Sequence, residues 1–400
     1  MRNHGQTAHL TNPIDCHQVG QDVTTEEPAS HDPKKSKGPA INRLFKACTK
    51  MGASDVHMKA GLPPSFRLKG DIRRSQEPPL SNEEIERMVF EVLTETQQKF
   101  FLENGALDFA HQCPGLDRFR VNVFRQRGMT SVAARRVVKD IRSFEELYVP
   151  PVLKEISKYH QGLVLLAGIT GSGKSTTIAA MINYINHSRA CHIVTIEDPI
   201  EYIFEDDKAF INQREIGIDV KNFHDALKYL MREDPDVVLV GEMRDRETFE
   251  AAVHAAETGH LCLGTIHASS AAQTVTRILD LFPEEERAQV RQAMVFNLKA
   301  VICQKLLPSI KPERPRVPCC EIMITNAIIR KLLAEGRDFE ITSILKSSTE
   351  EGMQDFTEAI YRLLQEEYID IKVAMEVAPN PDELKMRMKG IRSKSAGILA

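Results

Sequence analysis

Four hundred residues carry 52 basic and 56 acidic side chains, a formal charge of −4, with 42 % hydrophobic and 27 % charged residues. Those proportions fit an ordinary globular chain long enough for two domains, and they exclude a protein whose main task is coating nucleic acid. No run approaches the roughly 20 apolar residues of a membrane helix, and the amino terminus MRNHGQTAHLTNPIDCHQ lacks an apolar signal-peptide core, so a cytoplasmic protein is expected. The eight cysteines are scattered without a C-x-x-C pair, which fits reduced thiols, and adjacent Cys319 and Cys320 read as structural.

Residues 1–39 are polar and aperiodic and read as a disordered leader. Ile41, Leu44, Phe45 and Cys48 then recur at helical spacing. SDVHMKAGLPPSFRLKGDIRR reads as short strands broken by Gly and Pro, and Ser81 to Glu84 forms a capping box before one helical stretch that Gly105 stops. RFRVNVFRQ and TSVAARRVV are strand-like and complete an α+β unit over 40–140. A linker over 141–160 leads to a second domain over 161–378, and the basic stretch 379–400 reads as a frayed tail.

In the second domain LVLLAG, HIVTIE, VVLVGE and LCLGTI are short Val/Ile/Leu runs with long segments between them. That pattern suits parallel strands buried on both faces of an α/β sheet. LVLLAGITGSGKSTTIAAMI contains G-x-x-x-x-G-K-[ST] after a strand and before a helix, so the backbone of Gly168, Thr170, Gly171, Ser172 and Gly173 should cradle phosphates. Lys174 should reach the β- and γ-phosphates, and Ser175, followed by Thr176, should hold Mg²⁺. ATP with Mg²⁺ is therefore the expected ligand.

Hydrolysis needs a carboxylate at the end of a neighbouring strand. VVLVGE places Glu242 there to position the attacking water and help organise Mg²⁺, with Gly241 where an aspartate is often found, while Asp236 should lie at the far end, about 20 Å away at ~3.3 Å per residue. TIEDPIEY brings Glu197, Asp198 and Glu201 to another strand end, and Glu197 is expected to share work on the Mg²⁺ shell or the water. LCLGTI should open onto the same crevice, so His267 can donate to a γ-phosphate or a carboxylate. His260, seven residues earlier, should meet a different element.

GITGSGKST, TIEDPIEY, NQREIG, MREDPDVVLVGEMRDRET and AAETGHLCLGTIHASSA together resemble the type II/IV secretion ATPase superfamily, and more narrowly its twitching-motility ATPases of the PilT/PilU type. The resemblance spans about residues 40–390. It implies a RecA-like P-loop NTPase domain behind a smaller PAS-like α+β domain, with Walker A at 168–176, an Asp box at 197–202, Walker B at 237–242 and a His box at 258–267. It further implies a hexameric ATPase in the cytoplasm, at the inner-membrane pilus base, that depolymerises pilin. Its partners would be an inner-membrane platform protein and, in mixed rings, a paralogous motor, without membrane insertion.

An Arg127-Gly128 hairpin loop would set Arg120 opposite Arg135. Like charges directly opposite destabilise a strand pair unless an anion lies between them. The resemblance implies that these two arginines serve the nucleotide site of an adjacent subunit. Three other readings stay open: a mainly structural accessory subunit of the PilU kind, an assembly or secretion ATPase, and a nucleic-acid motor with Phe119 or Phe124 stacking on bases. The missing four-cysteine insert speaks against the second reading. Net charge and the absence of tryptophan speak against the third.

Overall fold

The computed structural model describes residues 38–390 apart from Lys69 and Val138. Most of the predicted leader and the last ten residues of the predicted tail lie outside the described residues.

The first unit is a six-stranded antiparallel sheet in the order β3-β2-β1-β6-β5-β4. Its strands are β1 (Asp55–Lys59), β2 (Ser65–Leu68), β3 (Asp71–Arg74), β4 (Ala106–Gln112), β5 (Arg118–Gln126) and β6 (Met129–Val137). Alternation decides its two faces. Val56, Met58, Phe119, Val121, Val123, Val132 and Ala134 point to one side. They share a core there with Ile41, Leu44, Phe45 and Cys48 of the helix Asn42–Met51 and with Ile85 and Phe101 of two further helices. Asp55, Arg120 and Arg135 stand on the other side, since each is one residue out of phase with that set.

The predicted helix after Ser81 is two helices, Asn82–Phe90 and Glu95–Asn104. A second capping box divides them: the Thr94 hydroxyl accepts from the Gln97 amide at 3.3 Å, and Gln97 Oε1 accepts from the Thr94 amide at 3.0 Å. Those two bonds satisfy backbone groups that a continuous helix would have used internally. Phe119 is fully buried and stacked on Phe45, ring centroids 4.2 Å apart, so it offers no face to a nucleic-acid base.

The second unit is a seven-stranded sheet in the order β13-β12-β7-β11-β10-β8-β9. It comprises β7 (Gly162–Ala167), β8 (His192–Glu197), β9 (Phe210–Glu215), β10 (Val237–Val240), β11 (Leu261–Ile266), β12 (Leu298–Pro308) and β13 (Arg316–Ile324). All neighbours pair in parallel except β13, which runs against β12. The four predicted runs are β7, β8, β10 and β11, and β7, β10 and β11 are buried along their whole length. Successive residues of β7 serve opposite layers: Leu163 and Leu165 enter one core, Val164 and Leu166 the other. Cys319 and Cys320 divide between the two cores in the same way, as structural thiols should.

The linker and the start of the basic stretch are both packed. Phe144, Leu153 and Ile156, between the domains, are buried beside Ile178, Met181 and Ile185 of the helix Lys174–Ser188. In the basic stretch, Asn380 caps a helix Pro381–Met388 whose Leu384 is fully buried, while Glu383 accepts from Lys346 and Arg387 pairs with Glu358. A single apolar residue with two ion pairs suffices to dock a short helix, and hydrophobic periodicity is too weak over eight residues to announce it. No helix among the described residues is long and apolar enough to cross a membrane.

Candidate nucleotide site

Because β7, β8, β10 and β11 are parallel, the loops that follow them leave the sheet on one edge. The 168–173 loop, Glu201, Glu242 and His267 therefore meet there, with the 120–136 region of the first sheet, around one cavity of about 720 Å³. That volume lies within the usual range for small-molecule sites.

The phosphate loop curls as expected. Gly173 has φ +89° and precedes the first turn of the helix Lys174–Ser188, whose free amides and dipole face the loop. Lys174 Nζ donates to the carbonyls of Gly168 (2.8 Å) and Ile169 (3.1 Å). Burial pulls its pKa below the ordinary lysine value, against the opposing pull of Glu242 and Glu201. An ammonium that has lost water in this way gains most from a phosphate.

Glu242 Oε1 lies 2.9 Å from His267 Nε2, and its other oxygen lies 2.6 Å from Arg244 Nη2. Burial works to raise the Glu242 pKa, but the Arg244 hydrogen bond and the charges of Arg244, His267 and Lys174 outweigh it and hold the group below the usual glutamate range. Glu242 is thus an ionised carboxylate with a fixed orientation, and His267 lies against this carboxylate, one of its two expected partners. Arg244 went unnoticed in the sequence, although its place two residues after the strand-end glutamate could have signalled it. Gly241 has a spatial reason as well. A Cβ there would sit 3.1 Å from the Ile196 carbonyl and 3.2 Å from Glu197 Cα, so a side chain would press the end of β10 against the backbone of β8.

The acidic turn after β8 divides its tasks. Ser175 Oγ donates to Glu201 Oε1 at 3.0 Å, and Thr176 Oγ1 shares a 2.8 Å hydrogen bond with the Tyr202 hydroxyl. Glu197 lines the cavity but accepts from Thr195 (2.7 Å) and Gln213 (3.3 Å), and burial raises its pKa to about 7. The carboxylate beside Ser175 is accordingly Glu201. Asp236 lies at the opposite end of β10, where it accepts from the His192 amide. His260 Nδ1 lies 2.8 Å from the Ala255 carbonyl, at the end of the helix Arg246–Glu257 and away from the cavity.

Arg120 and Arg135 are directly paired in the β5–β6 register, and both line the cavity. The Arg127-Gly128 turn has φ +50° and +76°, the positive pair that a two-residue hairpin loop of this kind demands. Arg135 Nε also donates to the buried Asp55 at 2.9 Å. Within this single chain the two arginines stand on the wall of the cavity that holds the phosphate loop. Arg118, two residues before Arg120 on the same face, fixes that placement by donating to Glu215 Oε2 at the end of β9 at 3.0 Å. Arg136, missed in the sequence, also lines the cavity while pairing with Asp117.

The oxygens of Ser175, Glu201, Glu197 and Glu242 suit a hard cation. Among the described residues no three His, Cys, Asp or Glu side chains converge as a metal cage.

A family-wide sequence profile described as Type II/IV secretion system protein matches residues 31–329. The chain is 42 % identical over 342 residues to the "Type IV pilus retractation ATPase PilT" of Pseudomonas aeruginosa, covering 86 % of this chain and 99 % of that protein. It is 39 % identical over 350 residues to the "Type IV pilus ATPase PilU" of the same organism, covering 87 % and 91 %. Among solved structures, one of the pilus retraction motor PilT with bound ADP superposes with a TM-score of 0.81 at 43 % identity, covering 86 % of this chain and 98 % of that one. With three quarters of its length matched to the profile and close relatives matched nearly end to end, the chain belongs to the type II/IV secretion system protein family.

Proposed function

We propose that this chain is the subunit of an ATP-hydrolysing ring that powers type IV pilus retraction and twitching motility, working in the cytoplasm against an inner-membrane platform protein. The observation that carries the reading is one cavity joining a phosphate loop, an oriented carboxylate and two exposed arginines.

Phosphoryl transfer needs positioning and charge stabilisation more than covalent help from the protein. The triphosphate lies along the 168–173 loop, and Lys174 exchanges its two loop carbonyls for phosphate oxygens. Glu242, kept ionised by Arg244 and His267, is a poor proton acceptor but a well-fixed hydrogen-bond acceptor, so its role is to orient the attacking water. Arg120 and Arg135 neutralise charge that develops on the transferred group, which offsets the cost of placing two arginines opposite each other. Ser175 with Glu201 and Glu197 would hold Mg²⁺, which would supply neutralisation of phosphate charge. Six copies, or a mixed ring with a paralogous motor, would convert closure of the arginine wall onto the loop into movement.

An accessory subunit is the second reading, favoured by the near-equal identity to PilU. One experiment addresses both: ATPase activity and native mass over a protein concentration series, for the wild type and Glu242→Gln. The motor reading expects turnover in the wild-type ring and a loss of roughly 10³-fold in Glu242→Gln with nucleotide binding kept. A ring that binds ATP without turnover would establish the accessory reading instead.

A further inference from the structure

We infer that Gln304 is a positioning residue for the phosphate loop, a brace applied from behind the site; the inference rests on the nucleotide-binding reading above and deepens it. A loop that cradles an anion turns its amide N–H groups inward, so its carbonyls must face the protein, where each needs a donor. Two of these carbonyls, those of Gly168 and Ile169, are satisfied by Lys174, which must leave them to bind phosphate. The carbonyl of Ser172 is satisfied independently of the nucleotide, by Gln304 Nε2 at 2.9 Å.

Strand register puts Gln304 there. β12 pairs with β7 up to Cys303 opposite Ala167, so the next residue of β12 arrives beside Gly168, the first residue of the loop. Gln304 is 3 % exposed, and both ends of its amide are engaged. Its Oε1 accepts from Thr177 Oγ1 at 2.8 Å, with Cys320 Sγ at 3.8 Å. The amide thus ties the loop carbonyl at Ser172 to the first turn of the following helix.

The motif glycines carry the same imprint. A Cβ on Gly173 would come within 2.7 Å of Gln304 Nε2, and one on Gly168 within 2.5 Å of the Gln304 carbonyl. The Gly173 contact is with the brace itself, whereas the Gly168 contact is with the backbone of β12, which any residue at position 304 would present. No phosphate-loop motif includes Gln304, which lies 131 residues beyond Gly173.

The test measures binding of a fluorescent mant-ADP probe with Mg²⁺, together with kcat and KM for ATP, in the full-length wild type, Gln304→Ala, Gln304→Glu and Thr177→Val. Loss of one buried hydrogen bond predicts a roughly tenfold to hundredfold weaker mant-ADP affinity in Gln304→Ala, with KM rising more than kcat falls. Gln304→Glu keeps size and the Thr177 bond, but an ionised carboxylate cannot donate to Ser172, whereas a protonated one can. Its affinity relative to the wild type should therefore recover as pH falls from 8 to 6, a profile that a purely structural role would not produce. Thr177→Val leaves the Ser172 bond and should weaken binding less than Gln304→Ala. Wild-type affinity in Gln304→Ala, a fall in kcat alone, or a pH-independent defect in Gln304→Glu would overturn the inference. If Gln304→Ala does not fold, the near-isosteric Glu variant carries the test alone. Failure of the wild type to bind mant-ADP would instead refute the nucleotide reading.

Discussion

The two sheets build one cavity by different means. The parallel sheet contributes through strand ends: Lys174, Glu201, Glu242 and His267 all lie in or beside loops that follow β7, β8, β10 and β11. The antiparallel sheet contributes from the middle of two strands, where Arg120 and Arg135 project from an open face. Strand-end residues sit in compact, recognisable stretches of sequence. Mid-strand residues reveal themselves only through register. Acidic groups differ as well. In the first unit burial would raise Asp55 and Glu86, but hydrogen bonds from Ser54 and Arg135, and from Thr130 and Arg125, hold both below the usual range. In the second unit Glu242 is held low in the same way, whereas burial dominates at Glu197 and Glu321 and raises both to about 7.

The largest expected effect tests whether the two walls belong to one chain. Lys174→Ala and Arg120→Ala should each lower ATPase activity by about 10³-fold or more. Mixed in one ring, the two variants should not rescue each other, because every cavity then lacks either its lysine or its arginine. If the arginine came from a neighbour, some cavities in the mixture would be complete, and up to roughly a quarter of wild-type activity would return. ATPase measured across mixing ratios distinguishes these results.

Next in size is the contrast in acidic groups. Glu321 is raised, so between about 4.5 and about 7 the folded chain keeps a proton that the unfolded chain releases. Stability therefore falls as pH rises through that window. Glu321→Gln retains an acceptor for the Ala271 amide, which donates to Glu321 Oε1 at 2.7 Å, and should gain stability relative to the wild type between pH 5 and pH 8, by up to about 3 kcal/mol. Urea unfolding at the two pH values reads this, and an equal difference at both would contradict the burial account.

His267→Ala should lower kcat by roughly tenfold to hundredfold while leaving mant-ADP affinity near the wild-type value, since the histidine touches Glu242 and not the phosphate loop. A matched loss of affinity would instead place it on the nucleotide. The smallest effect concerns the contact between the walls. Arg118 and Glu215 should couple by about 1 kcal/mol in a double-mutant cycle on ATP binding, as expected for a partly buried pair. Zero coupling would mean that other contacts hold the arginine face toward the loop.

The sequence alone determined the parallel α/β domain, its phosphate loop and the residues at its strand ends, because each depends on short-range patterns: unbroken apolar runs, glycines at fixed offsets, a carboxylate or histidine just past a strand. It also determined that Arg120 faces Arg135, because a two-residue turn fixes register with no help from the rest of the fold. Tertiary structure decided what depends on packing between distant segments. It docked the helix at Pro381–Met388 and added to the sheet the edge strand β9 together with β12 and β13, whose buried residues are shared between two cores. It brought both arginines to their own chain's cavity through Arg118 and Glu215, set Glu201 rather than Glu197 beside Ser175, and placed Gln304 behind the loop. Each of these is a hydrogen bond or ion pair between residues far apart in the chain. A local pattern supplies the partners of such bonds, but only the folded sheet brings them within reach.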